Sequence, residues 1–229
     1  IARIGAWVVR QACSQLGRWA EIPEFSNLTV AINVSARQFR DSNFVRDVTT
    51  SVRQAGIDPG LLKLELTESQ LAVNMQEIIA SMVELSNLGI RFSLDDFGTG
   101  YSSMAYLKLL PLDQLKIDRS FIRDLLTDPN DAAIASIIIA LSQSLGLTTV
   151  AEGVENREQK RALLNMGCTL FQGFLFSVPL AVKDFERYLT RRNAAAAAAG
   201  HGDQTDQPEG AAQAEEIWQP AADDSRGAV

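Results

Sequence analysis

Apolar, strand-like runs alternate with longer helical patterns along most of this chain, and that alternation limits the folds that it can adopt. The predicted helices cover residues 4–19, 44–55, 75–88, 132–145, 157–166 and 182–191. The predicted strands cover residues 28–34, 62–66, 90–94, 114–117, 148–151 and 169–174. Strands separated by helices pair in parallel and use the helices as crossovers, so the sequence predicts an α/β fold.

A polar residue stands at or near the C-terminal end of nearly every predicted strand. An open Rossmann-type sheet gathers a site only at its switch point, and no glycine-rich phosphate motif follows the first strand. In a closed (β/α)8 barrel, by contrast, all strand ends face one mouth. The sequence therefore predicts a (β/α)8 TIM-like barrel whose mouth carries the strand-end residues Asn33, Glu65, Asp95, Lys116, Glu152 and Gln172.

The predicted strands are too few for a complete barrel. A (β/α)8 barrel typically takes about 250 residues, whereas the globular part of this chain offers only about 190. The chain begins at Ile1, without a methionine and directly in helical periodicity. We therefore expect a barrel that is incomplete at the N-terminus, with its first strands lying upstream of Ile1.

Composition divides the chain near residue 193. Residues 193–229 hold an alanine run followed by small, acidic and polar residues, with Ile217 and Trp218 as the large apolar exceptions. Such a segment cannot bury enough surface to offset the entropy of ordering, so we predict a domain at 1–192 and a disordered, alanine-rich acidic tail at 193–229. The tail carries most of the net charge of -7. No basic stripe in the domain indicates a polymeric nucleic acid as partner.

The cysteines and the hydropathy pattern bear on location. Cys13 and Cys168 lack metal-binding spacing, and two lone cysteines indicate a reducing compartment rather than a disulfide scaffold. The apolar stretch at 132–147 is too short and too polar for a membrane span, and no signal peptide is evident. We expect a cytoplasmic domain, while membrane attachment of a longer parent protein stays open.

Two adjacent carboxylates, Asp95 and Asp96, follow an apolar run and precede a loop broken by Gly98 and Gly100. Adjacent strand residues point to opposite faces, so both can serve one site only where the strand ends and the backbone turns. The pair would repel each other without a cation. The alternative is an ordinary solvated position on the surface.

The other polar strand ends each have a structural alternative. Glu65 interrupts an apolar run, where a carboxylate is normally paired or metal-bound. Asn33 could be a turn former, and Glu68 could simply open the next helix. Lys116 could simply form a structural ion pair with an aspartate.

Taken together, these residues offer oxygen ligands and one ammonium. The single histidine, His201, lies in the tail, which argues against a catalytic triad, a histidine-bound zinc or a histidine base. Oxygen ligands suit Mg²⁺ or Mn²⁺. Two such ions about 3.5–4 Å apart could activate a water and stabilise the leaving oxygen of a phosphodiester. A nearby lysine could orient that water.

Six motifs resemble, in their order, the EAL domains, bacterial phosphodiesterases that act on cyclic di-GMP. The resemblance implies a (β/α)8 barrel with one antiparallel strand and a metal-dependent opening of cyclic di-GMP to linear pGpG. The motifs are Asn33-Val34-Ser35-Ala36-Arg37-Gln38-Phe39, Glu65-Leu66-Thr67-Glu68, Asp95-Asp96-Phe97-Gly98-Thr99-Gly100-Tyr101-Ser102-Ser103, Lys116-Ile117-Asp118, Glu152-Gly153-Val154-Glu155 and Gln172-Gly173-Phe174-Leu175-Phe176.

The resemblance also implies roles for individual residues. Asp95 would bridge two ions of Mg²⁺ or Mn²⁺, and Asp96 would serve the second ion. Lys116 would hold the attacking water, and Glu152 would act at the metal and water site. The implied metal ligands are Asn33, Glu65, Asp95, Asp96 and Glu152, and the implied catalytic residues are Lys116, Glu152 and Asp96.

A second group of residues would support this site. By the same resemblance, Glu68 anchors the loop at 97–103, and Gln172 faces the same mouth. That loop is also expected to contribute to a homodimer contact. The loop residues concerned are Phe97, Gly98, Thr99, Gly100 and Ser102.

The Glu-Ala-Leu signature that names the family does not occur in this chain. The resemblance places it upstream of Ile1, together with a ligand glutamate and an arginine that helps to hold the substrate. We therefore expect this chain alone to be inactive, and we expect sensory or cyclase domains upstream in the parent protein. The alternative is a catalytically inactive receptor for cyclic di-GMP.

Overall fold

A computed structural model of the chain describes residues 2–72, 75–100 and 107–199. Within these residues, six strands form one sheet, and each strand pairs in parallel with its neighbours in chain order. The strands are β1 (Val30–Asn33), β2 (Leu62–Thr67), β3 (Arg91–Phe97), β4 (Gln114–Ile117), β5 (Thr148–Ala151) and β6 (Leu170–Phe171).

Helices precede, connect and follow these strands. They are α1 (Ala2–Ala20), α2 (Ala36–Phe39), α3 (Phe44–Ala55), α4 (Met75–Asn87), α5 (Arg119–Arg123), α6 (Pro129–Leu145), α7 (Arg157–Asn165) and α8 (Val182–Ala199). Two 3₁₀ helices occur at Pro59–Leu61 and Glu68–Ala72. None of the described helices is both long enough and apolar enough to span a lipid bilayer.

The order of the strands confirms the predicted architecture. A doubly wound sheet reverses its strand order at a switch point, whereas this sheet runs from β1 to β6 without reversal. It is curled into half a barrel of the (β/α)8 type. All strands run the same way, so their C-terminal ends lie at one edge of the sheet.

The two faces of the sheet differ in polarity. Side chains that alternate along each strand point to opposite faces. The side chains on one face are apolar and fully buried, as with Leu64, Phe92 and Leu115. On this face Phe92 packs against Phe39 of α2, with ring centroids 6.5 Å apart. The intervening positions carry polar residues that are also buried. The helices therefore cover the apolar face, and the polar face lines the inside of the half-barrel.

Several element boundaries differ from the sequence predictions, and three of these differences concern the strand ends and the tail. β3 continues beyond residue 94 to Phe97, and β6 ends at Phe171, before the predicted end at 174. α8 continues beyond residue 192 to Ala199, because the alanine run that composition assigned to the tail favours a helix. Residues 200–229 lie outside the described part, so the division at 192 stays a prediction.

Candidate active site

The register of the sheet brings the polar strand ends together. Asn33 pairs with Glu65, and Glu65 pairs with Ser93 on the next strand. Ser93 in turn pairs with Gln114, which stands two residues before Lys116 on β4. Residues in register on parallel strands, and residues two apart on one strand, share a face. The polar strand ends therefore converge on the inner face at the C-terminal edge of the sheet.

A β-bulge places both adjacent aspartates at this edge. Leu94 pairs with Leu115 and Phe97 pairs with Ile117, so that Asp95 and Asp96 together lie opposite the single residue between those partners. Asp96 has φ = 55°, the one positive φ at a non-glycine position among the described residues. Aspartate tolerates this conformation better than most side chains do. The backbone turn that the sequence analysis assigned to the glycines therefore begins at Asp96 itself.

Lys116 lies at the centre of the cluster, and its side chain is completely buried. Its Nζ lies 3.1 Å from Oε2 of Glu65, 3.2 Å from Oδ1 of Asp95 and 2.5 Å from Oε1 of Glu152. Burial opposes the charge on the ammonium, but the three carboxylates outweigh burial and hold the pKa of Lys116 above its usual range. The lysine is thus a fixed positive charge.

The structural lysine–aspartate pair is present, but it joins Lys116 to Asp95, alongside two glutamates, and not to Asp118. Asp118 caps α5 instead, because its Oδ1 accepts a hydrogen bond of 2.8 Å from the backbone N–H of Ser120. The ion pairs of Lys116 join it to β2, β3 and the residue after β5.

Two carboxylates of the cluster bind protons more tightly than usual. Burial raises the pKa of Glu152 to about 7, with further contributions from Asp95 and Glu65, although Lys116 acts in the opposite direction. Burial and the charge of Asp95 also raise the pKa of Asp96. At both residues, burial and the neighbouring carboxylates therefore outweigh the opposing effect of the Lys116 ammonium.

Glu68 joins β2 to the loop after β3. It opens the 3₁₀ helix at Glu68–Ala72, and its buried Oε2 accepts hydrogen bonds from the backbone N–H groups of Gly98 at 3.0 Å and Gly100 at 3.2 Å. A Cβ on Gly100 would lie 3.0 Å from the Glu68 carboxyl carbon, so glycine allows this close approach without a shift of Glu68. Ser102 lies outside the described residues.

The same loop is connected to the bulge. The backbone N–H and the hydroxyl of Thr99 both donate to the carbonyl oxygen of Asp96, at 3.4 and 2.8 Å. Phe97 is buried, and it carries the strand pairing past the two aspartates to Ile117. The loop from Phe97 to Gly100 is therefore positioned by Glu68 on one side and by Asp96 on the other.

Asn33 and Gln172 lie at the ends of their strands with weaker connections to the cluster. Asn33 is in register with Glu65, but its side chain is exposed. Gln172 donates its backbone N–H to Ala151 and accepts from the N–H of Val154, next to the Glu152 loop. Its side-chain Oε1 is buried and accepts no hydrogen bond within the described part of the chain.

The donor set fits divalent cations. Carboxylate oxygens of Asp95, Asp96 and Glu152 all lie within 4.8 Å of one another. With Glu65 they make four carboxylates around the single ammonium of Lys116. Hard oxygen donors with surplus negative charge are the environment that Mg²⁺ and Mn²⁺ prefer.

The sequence analysis missed a second polar layer beneath this cluster. Lys63 is almost completely buried, and its Nζ donates to Oε1 of Gln114 at 3.0 Å. The hydroxyl of Ser93 donates to the same oxygen at 3.3 Å. The sequence does carry a signal for Lys63: like Glu65, it is a charged residue that interrupts the apolar run of β2.

Comparison with known sequences agrees with this geometry. The family model described as "EAL domain" matches residues 1–179. Cyclic di-GMP phosphodiesterase NbdA of Pseudomonas aeruginosa is 43% identical over 189 residues, which cover 82% of this chain and 24% of NbdA. The chain spans about a quarter of the length of the curated relatives it matches.

Solved structures share both the fold and much of the sequence. The PaMucR phosphodiesterase in complex with c-di-GMP is 41% identical and superposes with a TM-score of 0.76, covering 80% of this chain and 74% of that one. BlrP1 of Klebsiella pneumoniae, in a manganese and cy-diGMP complex, is 29% identical with a TM-score of 0.70, covering 77% of this chain and 44% of BlrP1. With a family model that matches most of its length and a fold shared with these structures, the chain belongs to the EAL domain family.

Proposed function

We propose that this chain is part of a phosphodiesterase domain that hydrolyses cyclic di-GMP to linear pGpG. The observation that carries this proposal is the convergence of Glu65, Asp95 and Glu152 on the buried ammonium of Lys116, with Asp96 beside them. Relatives named as cyclic di-GMP phosphodiesterases support the choice of substrate. Lowering this second messenger in bacterial signalling would be the biological result.

The proposal includes two divalent cations, Mg²⁺ or Mn²⁺. Glu65, Asp95, Asp96 and Glu152, together with Asn33, would hold them, and Asp95 would bridge the two. When bound, such ions polarise a phosphate oxygen and lower the pKa of a water molecule. The manganese complex of BlrP1 supports this choice of metal.

Lys116 would hold the attacking water and balance charge that develops on the phosphate. Its ammonium is suited to this role because three carboxylates fix its position and hold its charge. A positive charge that is preorganised in a buried site stabilises developing negative charge without reorganisation. Glu152 would act at the same water site.

The supporting residues would shape the mouth of the site. Glu68 would keep the loop of Phe97, Gly98, Thr99, Gly100 and Ser102 beside Asp96, and Gln172 would face the substrate. We further propose that the domain occupies residues 1–192 and is followed by a tail at 193–229. The domain would form a homodimer through the loop at 97–103.

The setting of the domain is also a proposal. We infer upstream sensory or cyclase domains in the parent protein, since one relative is named as a bifunctional diguanylate cyclase and phosphodiesterase, MucR of Pseudomonas aeruginosa. A cytoplasmic location is favoured by the two buried free cysteines, Cys13 and Cys168.

The test is to incubate the intact protein that carries this chain with Mn²⁺ and cyclic di-GMP, and to separate the products by chromatography. We expect linear pGpG, and we expect Asp95→Asn to abolish turnover because it removes one ligand charge. Asp58→Asn is the matched control, since Asp58 caps a 3₁₀ helix. Binding without turnover would identify an inactive receptor instead, and a fully active Asp95→Asn would refute the site assignment.

A further inference from the structure

Gln159 on α7 connects two segments that leave the site. Its side chain is buried, with an exposed fraction of 4%. Its Oε1 accepts hydrogen bonds from the backbone N–H groups of Glu155 at 2.8 Å and Asn156 at 3.2 Å. Its Nε2 donates to the carbonyl oxygen of Ile122, at the end of α5, at 2.9 Å. One amide thus joins the loop after β5 to the helix after β4.

Both of these segments begin at residues of the candidate site. The loop after β5 starts with Glu152, whose carboxylate contacts Lys116 on β4. The two segments also pack closely, because a Cβ on Gly153 would lie only 2.7 Å from Cβ of Arg119. A shift of one segment against the other would therefore move the Glu152 carboxylate relative to Lys116.

Helix capping explains only half of what Gln159 does. Its Oε1 and the side chain of Asn156 form the reciprocal capping box that begins α7. A glutamate could accept the same two hydrogen bonds, since Glu and Gln both serve at this position of a capping box. Only the amide, however, can also donate to the Ile122 carbonyl, whereas a carboxylate would repel it.

We propose that Gln159 is a positioning residue that holds the Glu152 loop in the place that divalent-metal binding requires. The inference rests on the metal site of the proposed function but does not depend on the substrate. The residue acts through the backbone of Glu155 and Asn156 and through α5, so its effect reaches both sides of the Lys116–Glu152 ion pair.

The experiment compares Mn²⁺ affinity, measured calorimetrically, in the intact protein and three variants. Gln159→Met keeps the size of the side chain and removes all its hydrogen bonds. Gln159→Glu keeps the two accepted bonds and loses the donated one. Gln15→Met is the control, because Gln15 is a buried glutamine on α1 that bonds to Glu186 on α8 and Arg18.

We expect Gln159→Met to weaken Mn²⁺ binding by about 10-fold, within the range of about 10–100-fold seen when groups that orient metal ligands are removed. Hydrogen exchange without metal should accelerate at the amides of Glu155 and Asn156. Gln159→Glu should also weaken Mn²⁺ binding but leave these two amides protected. Gln15→Met should change neither the Mn²⁺ affinity nor the hydrogen exchange of these amides, even if it lowers Tm as much as Gln159→Met does.

Wild-type Mn²⁺ affinity in both Gln159 variants would overturn the inference. If Gln159→Met does not fold, Gln159→Glu alone decides, because it preserves the cap of α7. Failure of the proposed function would look different: the wild-type protein would leave cyclic di-GMP intact while the Gln159 variants still weakened Mn²⁺ binding.

Discussion

Replacing Lys116 by methionine tests the electrostatic design of the site. Methionine nearly fills the same volume but carries no charge, so the change leaves Glu65, Asp95 and Glu152 without their common partner. The Lys116 and Glu65 side chains have no exposed surface, and those of Asp95 and Glu152 have exposed fractions of only 11% and 15%. Water therefore cannot readily replace the lost ammonium.

The magnitude follows from the contacts. At about 3 Å and an effective dielectric constant of about 20, each ion pair contributes a gross attraction of about 5 kcal/mol. Much of this attraction only offsets the dehydration of the charges, and removing one partner of a buried ion pair typically costs about 3–5 kcal/mol. In a domain of this size each kcal/mol lowers Tm by about 2–4 °C, so Tm should fall by about 10 °C.

The assay is thermal unfolding at pH 8 in EDTA, where Glu152 is largely ionised. Adding Mn²⁺ should stabilise Lys116→Met more than the wild-type chain, because the cation supplies positive charge that the variant lacks. Lys183→Met, at an exposed position on α8, is the control and should leave Tm unchanged. An unchanged Tm for Lys116→Met in EDTA would refute the reasoning.

Three further predictions concern the surroundings of the cluster. Glu68→Gln should accelerate hydrogen exchange at the amides of Gly98 and Gly100, which donate to the Glu68 carboxylate, because a neutral amide oxygen is a weaker acceptor. Unchanged exchange would show that the loop does not depend on Glu68. The pKa of Glu152 is raised in the folded state, so in EDTA its contribution to the free energy of unfolding should be full below pH 4.5 and be lost as pH rises through about 7. Denaturant titrations across this pH range should show the loss, and the Glu152→Gln variant should lack this pH dependence. Burial raises the pKa of Cys13 and Cys168 to about 11, so both thiols should react with iodoacetamide at pH 8 only after unfolding; rapid labelling of the native chain would contradict this.

The sequence supports many of these conclusions because charged residues within apolar runs are informative by themselves. Glu65 between leucines and Lys116 between Leu115 and Ile117 can hardly be accounted for except by pairing or ligation. Lys63 carries the same signal and was overlooked, because its position is one layer below the strand ends. Gln159 gives no such signal, since a glutamine in the first turn of a helix is ordinary.

The bulge shows where local reasoning fails. The glycines at 98 and 100 indicate a turn correctly, but β3 continues through Asp95 and Asp96 to Phe97. The backbone bends at Asp96, inside the strand, and pairing resumes after the bulge where Phe97 meets Ile117 on β4. That pairing joins residues on different strands, so no local pattern could have revealed it.

The sequence by itself determined the parallel α/β architecture and the face on which the charged residues lie, because both follow from the periodicity of apolar and polar residues within single elements. Only the tertiary structure decided which of these residues touch. Lys116 contacts Glu65, Asp95 and Glu152 rather than its sequence neighbour Asp118. These contacts depend on sheet register, curvature and one bulge, which arise only when distant segments of the chain pack against one another.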